Sequence, residues 1–328
     1  MFDFLRYEYA AARLRAMKGR LIDKSKFSKL VNAKSVSEIA NILEKTEYGP
    51  VFYHGMEKDV ESIENDLDVL FVKTLERIRG FYPEDGKNMV DIFLKEREVK
   101  NLKLLAKSVF SEEDWRGFIV PVVGFDTEEM LKTSGIEGMK NKLKGTAYFE
   151  ALSKAQKIFE RFGPQAIDFY LDIAYSKICI KIIEGLKDKE MFLSYVKWRN
   201  DLINLRNIMR SIIFKGELRD FFIGPTSIPK EWFGLQSTEA LFEKLKSKKI
   251  FVSDIKNLED DLIFETASGR YLEGMVLKFL HSSPFDEGLL LYYVVMKRDE
   301  VNKLKVITRF VKENLDRKDL KILLGMME

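Results

Sequence analysis

Apolar residues recur along this chain at spacings of three and four, and three stretches repeat one arrangement about a hundred residues apart. They read Glu98-Val99-Lys100-Asn101-Leu102-Lys103-Leu104-Leu105, Asp201-Leu202-Ile203-Asn204-Leu205-Arg206-Asn207-Ile208 and Glu300-Val301-Asn302-Lys303-Leu304-Lys305-Val306-Ile307. Each opens on an acid. Apolar residues follow at +1, +4, +7 and +11: Val99, Leu102, Leu105 and Val109; Leu202, Leu205, Ile208 and Ile212; Val301, Leu304, Ile307 and Val311. A base stands at +5 each time. Such spacing draws one face of a helix, so all three copies are predicted to bury the same stripe. The period is longer than the roughly 20 to 50 residues of common solenoid repeats. It predicts a small helical unit used three times, and a scaffold rather than a pocket enzyme.

The repeat extends beyond this helix. Thr46-Glu47-Tyr48 returns as Thr146-Ala147-Tyr148, each after an amphipathic run, with a looser counterpart near Lys249-Ile250-Phe251. The connectors Arg116-Gly117-Phe118-Ile119-Val120-Pro121 and Arg219-Asp220-Phe221-Phe222-Ile223-Gly224-Pro225 also correspond. These matches divide the chain into repeats at 1–115, 116–218 and 219–328. With 19 Gly and 7 Pro and no strand-like alternation, the chain is predicted to be all-α. Helices should break at Tyr48-Gly49-Pro50, Phe81 to Gly86, Val120-Pro121, Gly163-Pro164, Gly224-Pro225 and Ser283-Pro284. Glu98 and Lys103 lie about 140° apart around a helix, so they are not a helix-face pair. Either the acid meets a basic or amide donor on a neighbouring helix and fixes packing, or it stays solvated at the edge of the stripe. Glu98, Leu102, Asp201, Leu205, Glu300 and Leu304 are therefore the candidate packing residues.

Composition narrows the function. The 328 residues are 46% hydrophobic, enough for a substantial core, and 55 bases against 52 acids leave a net charge of +3. That balance lacks the global field of a nucleic-acid binder. Charge is uneven locally. Arg6, Arg13, Arg15, Lys18, Arg20, Lys24, Lys26, Lys29 and Lys34 form a basic opening, whereas six acids crowd between Glu57 and Asp68. The basic segment, above all Arg13, Arg15, Lys18 and Arg20, is the candidate partner interface. Cys179 is the single cysteine, so no internal disulfide forms, and it reads as a small buried hydrophobe. The first 17 residues lack the uncharged run of a signal peptide, and the apolar stretch Leu289 to Met296 is too short to cross a bilayer.

Catalytic chemistry is hard to find. The chain has no Gly-x-x-x-x-Gly-Lys-Ser/Thr loop and no Gly-x-Ser-x-Gly elbow. His54 and His281 lie far apart and near no cysteine. Asp168 and Asp172 share a helix face, and Glu259-Asp260-Asp261 is an acidic cluster, but a diphosphate-binding magnesium site needs a further aspartate beyond Asp261, where Leu262-Ile263-Phe264 stands. No catalytic, cofactor or metal residue is assigned.

The opening Tyr7 to Leu21 (Tyr-Glu-Tyr-Ala-Ala-Ala-Arg-Leu-Arg-Ala-Met-Lys-Gly-Arg-Leu), the Tyr48-Gly49-Pro50 break and the three marked helices in this order resemble the C subunit of the archaeal A-type ATP synthase, a relative of the d subunit of vacuolar ATPases. The resemblance runs along the whole chain; one departure is Ala11, where the family often has Asn. It implies a funnel of three similar helical subdomains with no catalysis of its own. Such a protein is a spacer that couples the central-stalk subunits of D and F type to the membrane proteolipid ring during proton- or sodium-driven ATP synthesis. It would be peripheral on the cytoplasmic face of the cell membrane, with no cofactor, nucleic-acid partner or transmembrane insertion. A helical adaptor of another complex and an all-helical metal-dependent enzyme are the competing readings.

Overall fold

Short polar residues set many of the helix starts by offering an acceptor to a backbone N–H that the first turn leaves unpaired. Asp23 accepts from the Lys26 N–H at 2.7 Å, Ser35 from Glu38 at 3.2 Å, Asp126 from Glu129 at 3.0 Å, Thr146 from Phe149 at 3.4 Å and Ser237 from Ala240 at 3.2 Å. The structure, a computed structural model, describes residues 2–110, 115–133, 135–186, 189–213, 221–248, 271–280 and 287–324. In chain order the helices are α1 (Phe2–Lys18), α2 (Lys24–Val31), α3 (Val36–Leu43), α4 (Gly49–His54), α5 (Val60–Arg79), α6 (Glu84–Phe110), α7 (Thr127–Leu131), α8 (Gly135–Lys142), α9 (Ala147–Phe162), α10 (Pro164–Glu184), α11 (Glu190–Ile213), α12 (Thr238–Ser247), α13 (271–280), α14 (Glu287–Lys312) and α15 (Arg317–Leu323). Among the described residues there is no strand, only an isolated bridge between Val122 and Phe125, so the fold is all-α. No described helix is long and apolar enough to cross a membrane. The predicted breaks fall between helices or at their first residues, except Ser283-Pro284, which lies outside the described residues.

The chain divides into two compact units, Met1–Thr74 with Leu235–Glu328, and Leu75–Gly234. In the first, the third marked helix, α14, supplies Val301, Leu304 and Ile307 to a core shared with Leu30 of α2, Ile39 and Leu43 of α3, Phe52 of α4, Ile63 and Leu67 of α5, and Leu320 of α15. The α3–α4 corner is tight. A Cβ on Gly49 would sit 2.7 Å from the Glu44 carbonyl oxygen, so only glycine permits this approach. Helix α1 lies against α14 through a buried side made of Ala10, Ala11 and Leu14. Ala11 is thus a small residue filling a helix contact.

In the second unit α9 and α10 fold back on each other at Gly163, whose φ of 59° suits a residue without a side chain, and Pro164 starts the next helix. Helix α10 is apolar around much of its circumference and packs against α6, α9 and α11. The first and second marked helices, α6 and α11, both belong to this unit.

The stripes are graded. In all three copies the +4 and +7 residues are buried: Leu102, Leu105, Leu205, Ile208, Leu304 and Ile307. The +11 residues Val109, Ile212 and Val311 are half-buried, and at +1 Val99 and Val301 are buried while Leu202 is half-buried. Truncating a fully buried Leu to Ala costs roughly 2–5 kcal/mol, and less where the site is already open to water. Leu205→Ala and Leu304→Ala should therefore lower stability by about 2–5 kcal/mol, and Leu202→Ala by clearly less, as read by denaturant unfolding followed by circular dichroism. Equal losses at positions 202 and 205 would contradict the grading.

Candidate functional site

The acid that opens each marked helix is buried in all three copies, at 2% exposure for Glu98, 7% for Asp201 and 3% for Glu300. A carboxylate in that position needs donors. Glu98 accepts the Tyr148 hydroxyl at 3.0 Å and the Lys95 ammonium at 2.5 Å. Glu300 accepts the Tyr48 hydroxyl at 2.5 Å, the Lys297 ammonium at 2.6 Å and the Ile22 N–H at 2.5 Å. Asp201 accepts the Thr226 hydroxyl and the Ser227 N–H, the latter at 2.6 Å. The three acids are thus buried and hydrogen-bonded rather than left solvated, but their donors differ in kind and place from the basic or amide group of a neighbouring helix, and they include two classes that spacing alone did not name. One is the phenol of the Thr-x-Tyr repeat. The other is a lysine three residues before the acid on its own helix, Lys95 or Lys297, replaced by Trp198 in the second copy.

The Thr-x-Tyr element itself repeats in geometry. Thr46 and Thr146 each donate a hydroxyl to the carbonyl three residues back, Leu43 and Leu143, at 2.7 Å in both cases. This turn delivers Tyr48 to Glu300 and Tyr148 to Glu98. Tyr48 therefore meets the acid of the third marked helix, and Tyr148 that of the first. The looser counterpart near Lys249-Ile250-Phe251 lies outside the described residues.

A second matched pair holds the connectors. Asn101, three residues after its acid, donates to the Val120 carbonyl at 2.7 Å and accepts from the Val120 N–H at 3.2 Å. Asn204 does the same to Ile223, at 2.8 and 2.9 Å. Both asparagines are fully buried. Sequence reasoning passed over them, although each stands at +3 and each binds a connector residue 19 positions later. The third copy has Lys303 at +3 instead. The +5 bases of the first and third copies reach across to acids on other helices: Lys103 to Asp172 of α10 at 2.8 Å, and Lys305 to Asp68 of α5 at 2.5 Å. Asp172 also takes Arg199 of α11 at 2.8 Å, so one carboxylate ties α6, α10 and α11.

Burial pushes the Glu98 carboxyl above its ordinary value against the opposing pull of Lys95 and Tyr148. Burial raises Asp201 likewise, against its bonds from Thr226 and Ser227. Burial also acts to raise Asp172, but Lys103 and Arg199 outweigh it and hold that carboxyl below the usual range. Tyr48 and Tyr148 are held well above the ordinary phenol value by burial and then by their carboxylate partners, so both remain donors.

Other candidates carry less. Asp168 lies 3.6 Å from Lys107, Asp172 is committed to its cations, and among the described residues no group of three or more potential ligands could hold a metal ion. Glu259-Asp260-Asp261 and His281 lie outside the described residues. His54 is exposed beside Tyr53, with ring centroids 5.9 Å apart. Cys179 is buried, and burial pushes its thiol up to about 12, which makes it unreactive. Arg13, Arg15 and Arg20 are exposed, whereas Lys18 is half-buried with its ammonium 4.8 Å from the Tyr292 ring centre. Half of the acidic run is matched inside its own unit. Asp66 pairs with Lys58, Glu64 with Arg309 and Asp68 with Lys305.

A carboxyl whose folded pKa exceeds its unfolded value adds stability below the unfolded value and loses it as pH rises through the folded one. Glu98 is of this kind; Asp172 is the opposite, its contribution present above the unfolded value and lost as pH falls through the folded one. Tyr148→Phe removes a donor to the charged form of Glu98. It should lower stability by about 1–3 kcal/mol near neutral pH, and the deficit should shrink once Glu98 is protonated. Denaturant unfolding at about pH 7 and about pH 4 checks this; an equal deficit at both would mean that the hydroxyl does not serve the carboxylate.

Residues 10–321 match the model of the ATP synthase (C/AC39) subunit family. The chain is 26% identical to the C subunit of the A-type ATP synthase of Methanocaldococcus jannaschii, over 99% of this chain and 87% of that one. It is also 26% identical to the corresponding protein of Pyrococcus horikoshii, over 100% and 92%, and 23% identical to that of Pyrococcus abyssi, over 99% and 92%. The match spans both units and all three marked helices: the chain belongs to the ATP synthase (C/AC39) subunit family.

Proposed function

We propose that this chain is the non-catalytic C-type subunit of an A-type ATP synthase, a spacer that seats central-stalk subunits of D and F type and rests on the membrane proteolipid ring. The observation that carries this reading is the match along residues 10–321. It acts peripherally, at the cytoplasmic face of the membrane, and it passes rotation between its partners during ion-driven ATP synthesis.

The mechanical role follows from the interior. Close-packed cores deform little and transmit strain. Ion pairs and hydrogen bonds that join neighbouring helices, such as Lys103–Asp172–Arg199 and Glu300–Tyr48, resist sliding of one helix past another. Three helical modules, 1–115, 116–218 and 219–328, share this construction in our reading, and the exposed Arg13, Arg15 and Arg20 with the half-buried Lys18 form the partner-facing part.

Neutralising Arg13, Arg15 and Lys18 together should leave folding nearly intact, since an exposed charge, or a partly solvated cation over a ring such as Lys18 on Tyr292, is worth about 1 kcal/mol or less. It should weaken recovery of stalk and ring subunits from detergent-solubilised membranes, more so at high salt. Identical recovery by variant and wild type across a salt titration would remove this segment from the interface. The isolated chain should show neither ATP hydrolysis nor nucleotide binding in the micromolar range by calorimetry. Micromolar binding would sink the non-catalytic reading.

A further inference from the structure

Helix α1 carries apolar residues on two opposite faces. Ala10, Ala11 and Leu14 form the buried side against α14. Leu5, Tyr9, Ala12 and Ala16 fall at i, i+4, i+7 and i+11, within about 60° of arc and centred about 180° from that side. All four are exposed, Leu5 at 58% and Tyr9 at 52%. Single exposed apolar residues are ordinary, but these two large ones stand one turn apart and the alanines continue their line. A helix apolar on two faces is suited to being covered on both.

The rim and the shape of this stripe say what covers it. Arg6 and Arg13 border it on one side, with the Arg13 guanidinium 6.0 Å from the Tyr9 ring centre. Arg15 and Glu8 border it on the other, and Arg20 follows the end of the helix; all five are exposed. Four bases against one acid complement an acidic partner. A lipid surface would draw on large apolar side chains, and half of the stripe is alanine. Alanines one turn apart instead let a second helix approach closely, and anchors at i, i+4, i+7 and i+11 match a helix laid along α1. We propose that this face docks an acidic amphipathic helix of a protein partner, its apolar side along Leu5, Tyr9, Ala12 and Ala16 and its carboxylates against the arginine rim. This rests on α1 being the partner-facing segment and gives the chemistry of what it meets.

The test is photo-cross-linking of the full chain in the membranes of the cells that make it. The photoreactive residue is introduced as Leu5→p-benzoylphenylalanine or Tyr9→p-benzoylphenylalanine, with Lys154→p-benzoylphenylalanine as the exposed control, and the cross-linked peptides are sequenced by mass spectrometry. Both stripe positions should reach one segment of another protein in which acids recur at helical spacing, and the control should not reach it. Arg6→Gln/Arg20→Gln should lower the yield about tenfold, with the circular dichroism of the wild type. Cross-links to lipid, to a segment without acids or to a second copy of this chain overturn the proposal, as do no cross-link from either position and a yield that the arginine variant leaves unchanged. An acidic helix from a protein that is neither a stalk nor a ring subunit supports the docking face and overturns the proposed function instead. Stalk and ring subunits recovered with the chain but without a cross-link from the stripe do the reverse.

Discussion

A carboxylate set beside an aliphatic stripe is costly unless donors surround it, and this chain places one there three times. Leaving such a charge unpaired in the interior costs several kcal/mol, more than any one leucine of the stripe returns. The acid therefore limits which neighbouring segments can pack on the helix, because they must bring a hydroxyl or an N–H to that point. Tyr148 and Tyr48 answer the demand in the first and third copies, and Thr226 with Ser227 in the second. Hydrophobic burial supplies the driving force for packing, but it is indifferent to register. The buried acid is not, since a shift of one helical turn, about 5.4 Å, would strand it.

The same logic redistributes charge between sequence and surface. Nine bases open the chain and six acids crowd a later segment, which looks in the sequence like two patches of opposite sign awaiting partners. In the fold the acidic run faces the basic end of α14, through Glu64–Arg309 and Asp68–Lys305, while Lys312 donates to the carbonyls of Met56 and Lys58. With Asp66–Lys58, these contacts take up three of the six acids, while Glu57, Asp59 and Glu61 stay exposed. The basic segment is only partly consumed, with Lys18 over Tyr292 and the arginines exposed.

The helical class, the positions of the breaks and the buried stripe were legible in the sequence because period and punctuation are local properties. The +4 leucines could be named from spacing alone, and so could the fact that Glu98 and Lys103 had to find separate partners. What spacing could not give was the identity of those partners, because they come from segments far along the chain: Tyr148 for Glu98, Glu300 for Tyr48, Asp172 for Lys103. Asn101 and Asn204 were readable in principle, since both sit at +3 and both precede a matching connector, but an asparagine on a helix usually points to solvent and draws no attention. The Thr-x-Tyr match was seen as a repeat without a role, since the role depends on which acid lies across from it.

The three marked helices also differ in how their acids are held. Glu98 and Glu300 are each held by a tyrosine and by a lysine of their own helix, half-buried Lys95 and fully buried Lys297; Asp201 is one methylene shorter and is held by a neutral hydroxyl and a backbone N–H. A shorter side chain reaches less far, so its donors must come from a segment lying closer to the helix. The second connector provides one: Asn200 of α11 donates to the Pro225 carbonyl and Ser176 of α10 to that of Gly224, which holds residues 224–225 against both helices. Acid length and connector path therefore change together. That coupling explains how one helical pattern can serve three places in a chain while the segments packed on it diverge in sequence.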